Sequence, residues 1–226
     1  FRFRRRKPWG FESLHPHHLR LSGEFATPMT TQPSPVRPSP RLAALAVLVV
    51  VMAAQAAALH ALGQPAICAC GTVRLWAGEV LSPENSQQLT DWYTFSHLIH
   101  GMIFYALARA LLPSRPPLVW FALALGLEAT WELIENSPAV IEHYRAQALA
   151  QGYSGDSILN SLSDTVACAT GFTLARLLPT RATVALALAF ELFTGVMIRD
   201  NLTLNVVQLI HPIDAVAAWQ TGAAPR

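Results

Sequence analysis

Long apolar runs separated by polar turns organise the chain. Residues 42–62 form an apolar run of 21 residues, long enough to cross a bilayer as a helix. Four further helical runs are predicted: 94–112, closed by Pro113; 118–135, ended at Asn136-Ser137-Pro138; 157–178; and 182–198, after a tight turn at Pro179 and Arg181. Proline disfavours helix in the residue before it, which sets the stop at 136–138. Two polar stretches interrupt the runs: 64–93, and 137–155 with one helical turn around 141–149. The tail, 201–219, alternates apolar and polar groups and is broken at Pro212, so it predicts an interfacial or re-entrant amphipathic segment. The expected fold is all-α: an integral membrane helical bundle of about five transmembrane helices plus a C-terminal amphipathic segment. A single domain over 42–220 is expected, flanked by a disordered basic segment at 1–41 and a short tail at 221–226. No internal repeat is apparent.

The first run admits a second reading, a signal peptide with Ala54-Gln55-Ala56 as a cleavage-like site. An uncleaved helix is favoured because the apolar run continues beyond that site. Residues 1–28 precede Met29 and read as a leader or an upstream extension, and they are set aside in reasoning about the fold. Residues 29–40, rich in Ser, Thr and Pro, read as a flexible cytoplasmic tail.

Composition agrees with the pattern. Of the 226 residues, 52% are hydrophobic and 13% charged, roughly half the charged share of about 25% in soluble domains. The net charge of +2 conceals an asymmetry: residues 1–41 hold Arg2, Arg4, Arg5, Arg6, Lys7, Arg20, Arg37 and Arg41 against Glu12 and Glu24. A basic head before an apolar run points to retention on the cytoplasmic side, and no nucleic-acid partner is expected. Arg109, Arg115, Arg176 and Arg181 flank the two shortest turns and fall on the same side if five helices alternate. That assigns the N-terminus and these turns to the cytoplasm. The polar stretches then face outward, which in a bacterium means the periplasm.

Several chemistries are excluded. The single lysine, Lys7, lies in the basic head, so a P-loop is absent and a Schiff-base lysine has no candidate in the bundle. Three cysteines, Cys68, Cys70 and Cys168, make no disulfide scaffold. Cys68-Ala69-Cys70 is too tightly spaced for a relaxed bridge, so two thiols in an ordered loop are expected.

The polar residues of the predicted helices collect at one end. His97 and His100 share a helical face near the start of the second helix. Glu128, Glu132 and Glu135 form a stripe roughly 60° wide near the end of the third. Asp156, Ser157, Asn160, Ser161 and Asp164 open the fourth, and Arg199-Asp200-Asn201 closes the fifth. A carboxylate facing hydrocarbon costs at least about 2.5–3.5 kcal/mol, so these groups must face an interior chamber. Glu128, deepest in the stripe, would form its floor.

Two imidazoles with several carboxylates suit a divalent transition metal such as Zn, Mn or Fe. His97, His100 and Glu128 are the candidate ligands. Glu132, Glu135 and Asp164 are the candidate catalytic groups, and Asn136, Asp156, Asn160, Arg199 and Asp200 the candidate binding groups. The alternative is a metal-free hydrogen-bonded network, with some carboxyls protonated or paired with Arg145 and Arg199. Glu191 is expected to be protonated or bonded to a neighbour. Tyr93, Tyr144, Tyr153 and five tryptophans near helix ends read as an interfacial belt.

A set of motifs in this order, Cys68-Ala69-Cys70-Gly71, Asn85-Ser86-Gln87, Ser96-His97 with His100-Gly101, Trp131-Glu132 with Glu135-Asn136-Ser137-Pro138, Gly155-Asp156-Ser157 with Asn160-Ser161, and the run from Ile198 to Leu204, resembles uncharacterised protein family 0314, also called domain of unknown function 2585. The resemblance covers about residues 42–220. It implies a multi-pass protein of the bacterial inner membrane and no particular activity. A looser likeness to VanZ-like membrane proteins concerns arrangement alone and carries no function. Two function classes follow. One is an outward-facing, metal-assisted hydrolase or transferase acting on a lipid headgroup or envelope precursor. The other is a non-catalytic role, in ion, proton or small-ligand binding or in structure. Permeation would require a homo-oligomer, because five helices are few for a transporter.

Overall fold

The computed structural model describes residues 38–146 and 153–222. The basic leader and residues 147–149 of the expected helical turn lie outside the described residues. Among the described residues eight helices follow in order: α1 (Pro40–Ala61), α2 (Thr94–Leu111), α3 (Pro117–Glu135), α4 (Pro138–Arg145), α5 (Ile158–Leu177), α6 (Thr180–Ile198), α7 (Leu202–Ile210) and α8 (Asp214–Thr221). Local chemistry sets their ends. Proline, which lacks a backbone N–H and is preset for helix, stands in the first turn of α1, α3 and α4. Ser39, Ser157 and Asn201 accept an N–H of the first turn of α1, α5 and α7. The expected turn near 141 is a helix that begins earlier, at Pro138. The amphipathic tail is two short helices separated at Pro212.

α5 is the central element, packed against α1, α2, α3 and α6. Its closest neighbour is α2, because glycines let the two backbones approach. A Cβ at Gly101 would run into the Cys168 carbonyl, and one at Gly171 into the Leu98 carbonyl. α1, α3 and α6 are each long and apolar enough to cross a membrane. Their outward faces carry exposed side chains such as Val50, Leu127, Leu188 and Val196, as lipid contact requires. α2 and α5 fall short of that apolarity because their inward faces carry the polar residues. Apolarity alone therefore marks three spans where about five were expected.

The stretch before α2 folds over the α5 N-terminus, where four backbone N–H groups have no partner within the helix. Carbonyls of Pro65, Ala66 and Ser86 accept the N–H groups of Ile158, Leu159 and Ser157. The Ser157 hydroxyl and the Asn160 amide donate to the Gln87 and Gln88 carbonyls. An edge-to-face aromatic cluster of Trp76, Trp92, Phe95 and Phe193 fixes the same stretch against α6. Cys68 and Cys70 are joined as a disulfide, contrary to the expectation of two free thiols. The chain reverses there, with Gly71 at φ 74° and its N–H bonded to the Cys68 carbonyl, which brings the two Cα atoms to 5.2 Å.

Candidate functional site

The N-terminal ends of α2 and α5 meet the C-terminal ends of α3 and α6 around one buried polar cluster. His97 is its hub. Its Nδ1 lies 2.5 Å from Glu128 Oε1 and 3.4 Å from Glu132 Oε1, and its Nε2 lies 3.9 Å from Asp164 Oδ2. His100 approaches the other Glu128 oxygen through Nδ1 at 3.0 Å. A carboxylate only accepts, so a neutral ring bonded to Glu128 carries its proton on Nδ1 and offers the Nε2 lone pair. This is how an orienting carboxylate serves a ligating histidine.

Glu132 is held differently. Its Oε2 accepts from the Ser161 hydroxyl at 2.6 Å, while Oε1 is sealed from solvent with no hydrogen-bond partner. Ser161 is fixed in turn by Gln55 of α1, whose amide donates to the Ser161 hydroxyl at 2.7 Å and accepts from Thr165. Asp164 accepts from Thr94 at 3.3 Å. Two sets of side chains bring ligand atoms within 4.8 Å of one another: His97, His100 and Glu128, and His97, Glu132 and Asp164.

Above this cluster opens a cavity of about 40 Å³, walled by Tyr93, His97, Glu135, Tyr144, Tyr153, Asp156, Asn160, Asp164, Asp200 and the amides Asn85, Asn205, Gln208 and Gln220, with Ser86. Asn136 clasps Asp156 from both sides: its amide donates to the Asp156 carboxylate at 2.6 Å, and its oxygen accepts the Asp156 N–H at 2.7 Å. Tyr153 donates to the other Asp156 oxygen at 2.8 Å. Asp200 accepts from the Tyr93 hydroxyl and the Gln220 amide, each at 3.2 Å. Burial pushes both Asp156 and Asp200 up to about 6, against the lowering effect of these donors. Tyr144, buried and bonded to Asn205, is held well above the ordinary phenol range by burial and by the acids nearby.

Of the residues singled out in the sequence, Glu135, Asp156, Asn160, Asp164, Asp200 and His97 line the cavity. His100, Glu128 and Glu132 lie against His97 beneath it, and Asn136 acts through Asp156. Arg199 stands apart. It is exposed in a left-handed conformation at the end of α6 and donates to the Trp219 carbonyl. Arg145 likewise turns outward, to the Tyr153 carbonyl. Neither guanidinium pairs with a cavity acid, so the expected neutralising arginines are not part of the site. Glu191 accepts the N–H groups of Leu202 and Thr203, capping α7.

The sequence pattern expected membrane anchoring of Tyr93, Tyr144 and Tyr153, yet all three face the cavity. It missed Gln55, whose place in an apolar helix was the available signal. It also missed Asn205, Gln208 and Gln220, which only the fold-back of α7 and α8 brings to the site.

Residues 59–222 match the family model described as protein of unknown function DUF2585. The chain belongs to this family. Among DUF2585 relatives, the UPF0314 protein of Sphingopyxis alaskensis is 53% identical over 172 residues, covering 76% of this chain and 92% of that protein. That of Rhizobium meliloti is 52% identical over 172 residues (76% and 87%), and that of Brucella anthropi 50% over 181 residues (80% and 91%). No solved structure matches the chain. The matched span of this DUF2585 member contains every wall of the cavity.

Proposed function

We propose that the protein is a five-span inner-membrane protein with a cytoplasmic N-terminus and a periplasmic cavity, and that His97, Glu132 and Asp164 hold a divalent cation at the base of that cavity. The carrying observation is the orphaned Oε1 of Glu132, 1% exposed, beside a second buried carboxylate and a histidine whose other nitrogen is already committed to Glu128. A buried acceptor without a donor is costly, and a cation relieves both the orphan and the repulsion between the acids. Glu128 then serves as the outer carboxylate that orients His97. This revises the sequence-based ligand set, in which His100 and Glu128 bound the metal directly. The placement of all the tight-turn arginines at the opposite end supports the orientation.

A divalent cation held by these residues would supply a Lewis acid. Glu135, on the cavity wall, would act as the general base and return the proton to a leaving oxygen. Asp156, clamped by Asn136 and Tyr153, would orient the reacting group. The reaction class these parts suit is hydrolysis or group transfer on a lipid headgroup or envelope precursor reached from the membrane rim.

The test is metal analysis of the full chain purified without chelator, followed by reloading with Zn, Mn or Fe. One equivalent is expected in the wild type and much less in His97→Ala and Asp164→Asn. A wild type that retains and takes up no divalent metal refutes the proposal. A second reading, a metal-free network that fixes helix register, draws support from the 2.5 Å His97–Glu128 contact. That reading predicts no metal together with a large loss of stability in His97→Ala.

A further inference from the structure

We propose that the cavity recognises an ammonium group, and that the substrate or ligand of the site is therefore an amine-bearing headgroup or small amine, not a phosphate. This rests on the preceding reading of the cavity as a substrate site but not on the metal. Four acids, Glu135, Asp156, Asp164 and Asp200, stand on the wall, and among the described residues no lysine or arginine lines it. The guanidinium groups of Arg145 and Arg199 are turned to backbone carbonyls, as described above. An anion entering this space would meet like charge, and His97 already faces three acids.

The hydrogen-bond inventory points the same way. Several donors on the wall are already engaged. The Tyr93 and Tyr153 hydroxyls donate to Asp200 and Asp156, and Tyr144 donates to Asn205. The amides of Asn160, Gln208 and Gln220 donate to the Gln88 and Ile213 carbonyls and to Asp200. Ionised, the wall carboxylates only accept, and one further acceptor at the cavity, Asn85 Oδ1, is shielded from solvent and has no partner. A site of unfilled acceptors selects a ligand that only donates, and an ammonium has three donors and no acceptor. Tyr144 and Tyr153, with ring centroids 5.7 Å apart, add aromatic faces that attract a cation. At about 40 Å³ the space takes roughly three waters. A terminal aminomethyl group fits that space.

The experiment uses the full chain in nanodiscs of phosphatidylglycerol, with the thermal midpoint as readout. Ethanolamine is expected to raise the midpoint at millimolar concentration, whereas inorganic phosphate at equal ionic strength does not. Asp200→Asn and Asp156→Asn should each weaken the ethanolamine effect about tenfold, the scale of one charge-assisted hydrogen bond. Wild-type protein stripped of metal with a chelator should keep the ethanolamine response, which separates failure of the metal site from failure of amine recognition. Replacing the lipid with phosphatidylethanolamine distinguishes the sources. If the lipid supplies the group, that bilayer raises the midpoint and soluble ethanolamine adds nothing more; if a soluble amine is the ligand, the two bilayers behave alike. A wild type that responds to phosphate as strongly as to ethanolamine, or to neither additive nor either lipid, overturns the proposal without recourse to any variant.

Discussion

Adding one methyl group at Gly171 tests whether the close approach of α2 and α5 builds the site. The new Cβ would overlap the Leu98 carbonyl of α2, and the reciprocal change at Gly101 would overlap the Cys168 carbonyl of α5. Backbone cannot swing aside as a side chain can, so the helices must part by about 1 Å in a densely packed interior. Overpacking of this kind costs about 1–3 kcal/mol, and a backbone-to-backbone clash belongs at the upper end. For a chain of this size that is a fall of roughly 6–12 °C in the thermal midpoint. α2 carries Thr94 and His97 while α5 carries Asp164, so parting them also widens the 3.9 Å approach of His97 to Asp164. Bound metal should then fall together with the midpoint. Gly126→Ala on α3 is the control, because a Cβ there meets nothing within 4 Å. It should be neutral or stabilising, since alanine favours helix by up to about 1 kcal/mol over glycine. If Gly171→Ala and Gly101→Ala melt with Gly126→Ala and keep their metal, the proposed dependence of the site on glycine-mediated packing is wrong.

Stability should also depend on pH. Asp156 and Asp200 sit at about 6 in the fold, above the ordinary 3.8, so folding favours their protonated forms. Their contribution is complete below about pH 4 and is lost as pH rises through about 6, on the order of 3 kcal/mol for each. The midpoint should be higher at pH 5 than at pH 7.5, with a smaller gap in Asp200→Asn; a gap of the opposite sign would contradict the burial argument. Gln55→Leu removes the amide that fixes Ser161, and through it Glu132. A loss of about 1–3 kcal/mol and weaker metal retention are expected, with circular dichroism unchanged; wild-type retention would show that α1 does not support the site. Glu191→Ala leaves the first N–H groups of α7 without their acceptor, a loss of about 1 kcal/mol. Limited proteolysis should then cut residues 199–222 faster, and an unchanged cleavage rate would argue against the cap.

Much of this protein is legible along the chain. Each long helix begins and ends within about three residues of the positions set by apolar runs and by Pro113, Pro138 and Pro179, because hydrocarbon demands continuous helix and proline stops it. The gathering of acids and histidines at one end also follows from one dimension. Helix orientation alternates, and every ionisable group must avoid lipid.

The partners of those groups do not follow from one dimension. Glu128 reads as a metal ligand in the sequence, and the interhelical distances set one of its oxygens against Nδ1 of each histidine. Arg199 reads as a counter-charge, yet its left-handed conformation and its bond to Trp219 turn it away from the cavity. The tyrosines read as membrane anchors, since a residue near a helix end has the same spacing whether it faces lipid or a chamber. The sequence by itself determined which segments are helices, which end of the bundle is polar and which side of each helix turns inward. Tertiary structure decided which polar atom meets which, because those pairings depend on crossing distances between helices far apart in the chain. A one-dimensional pattern carries no record of those distances.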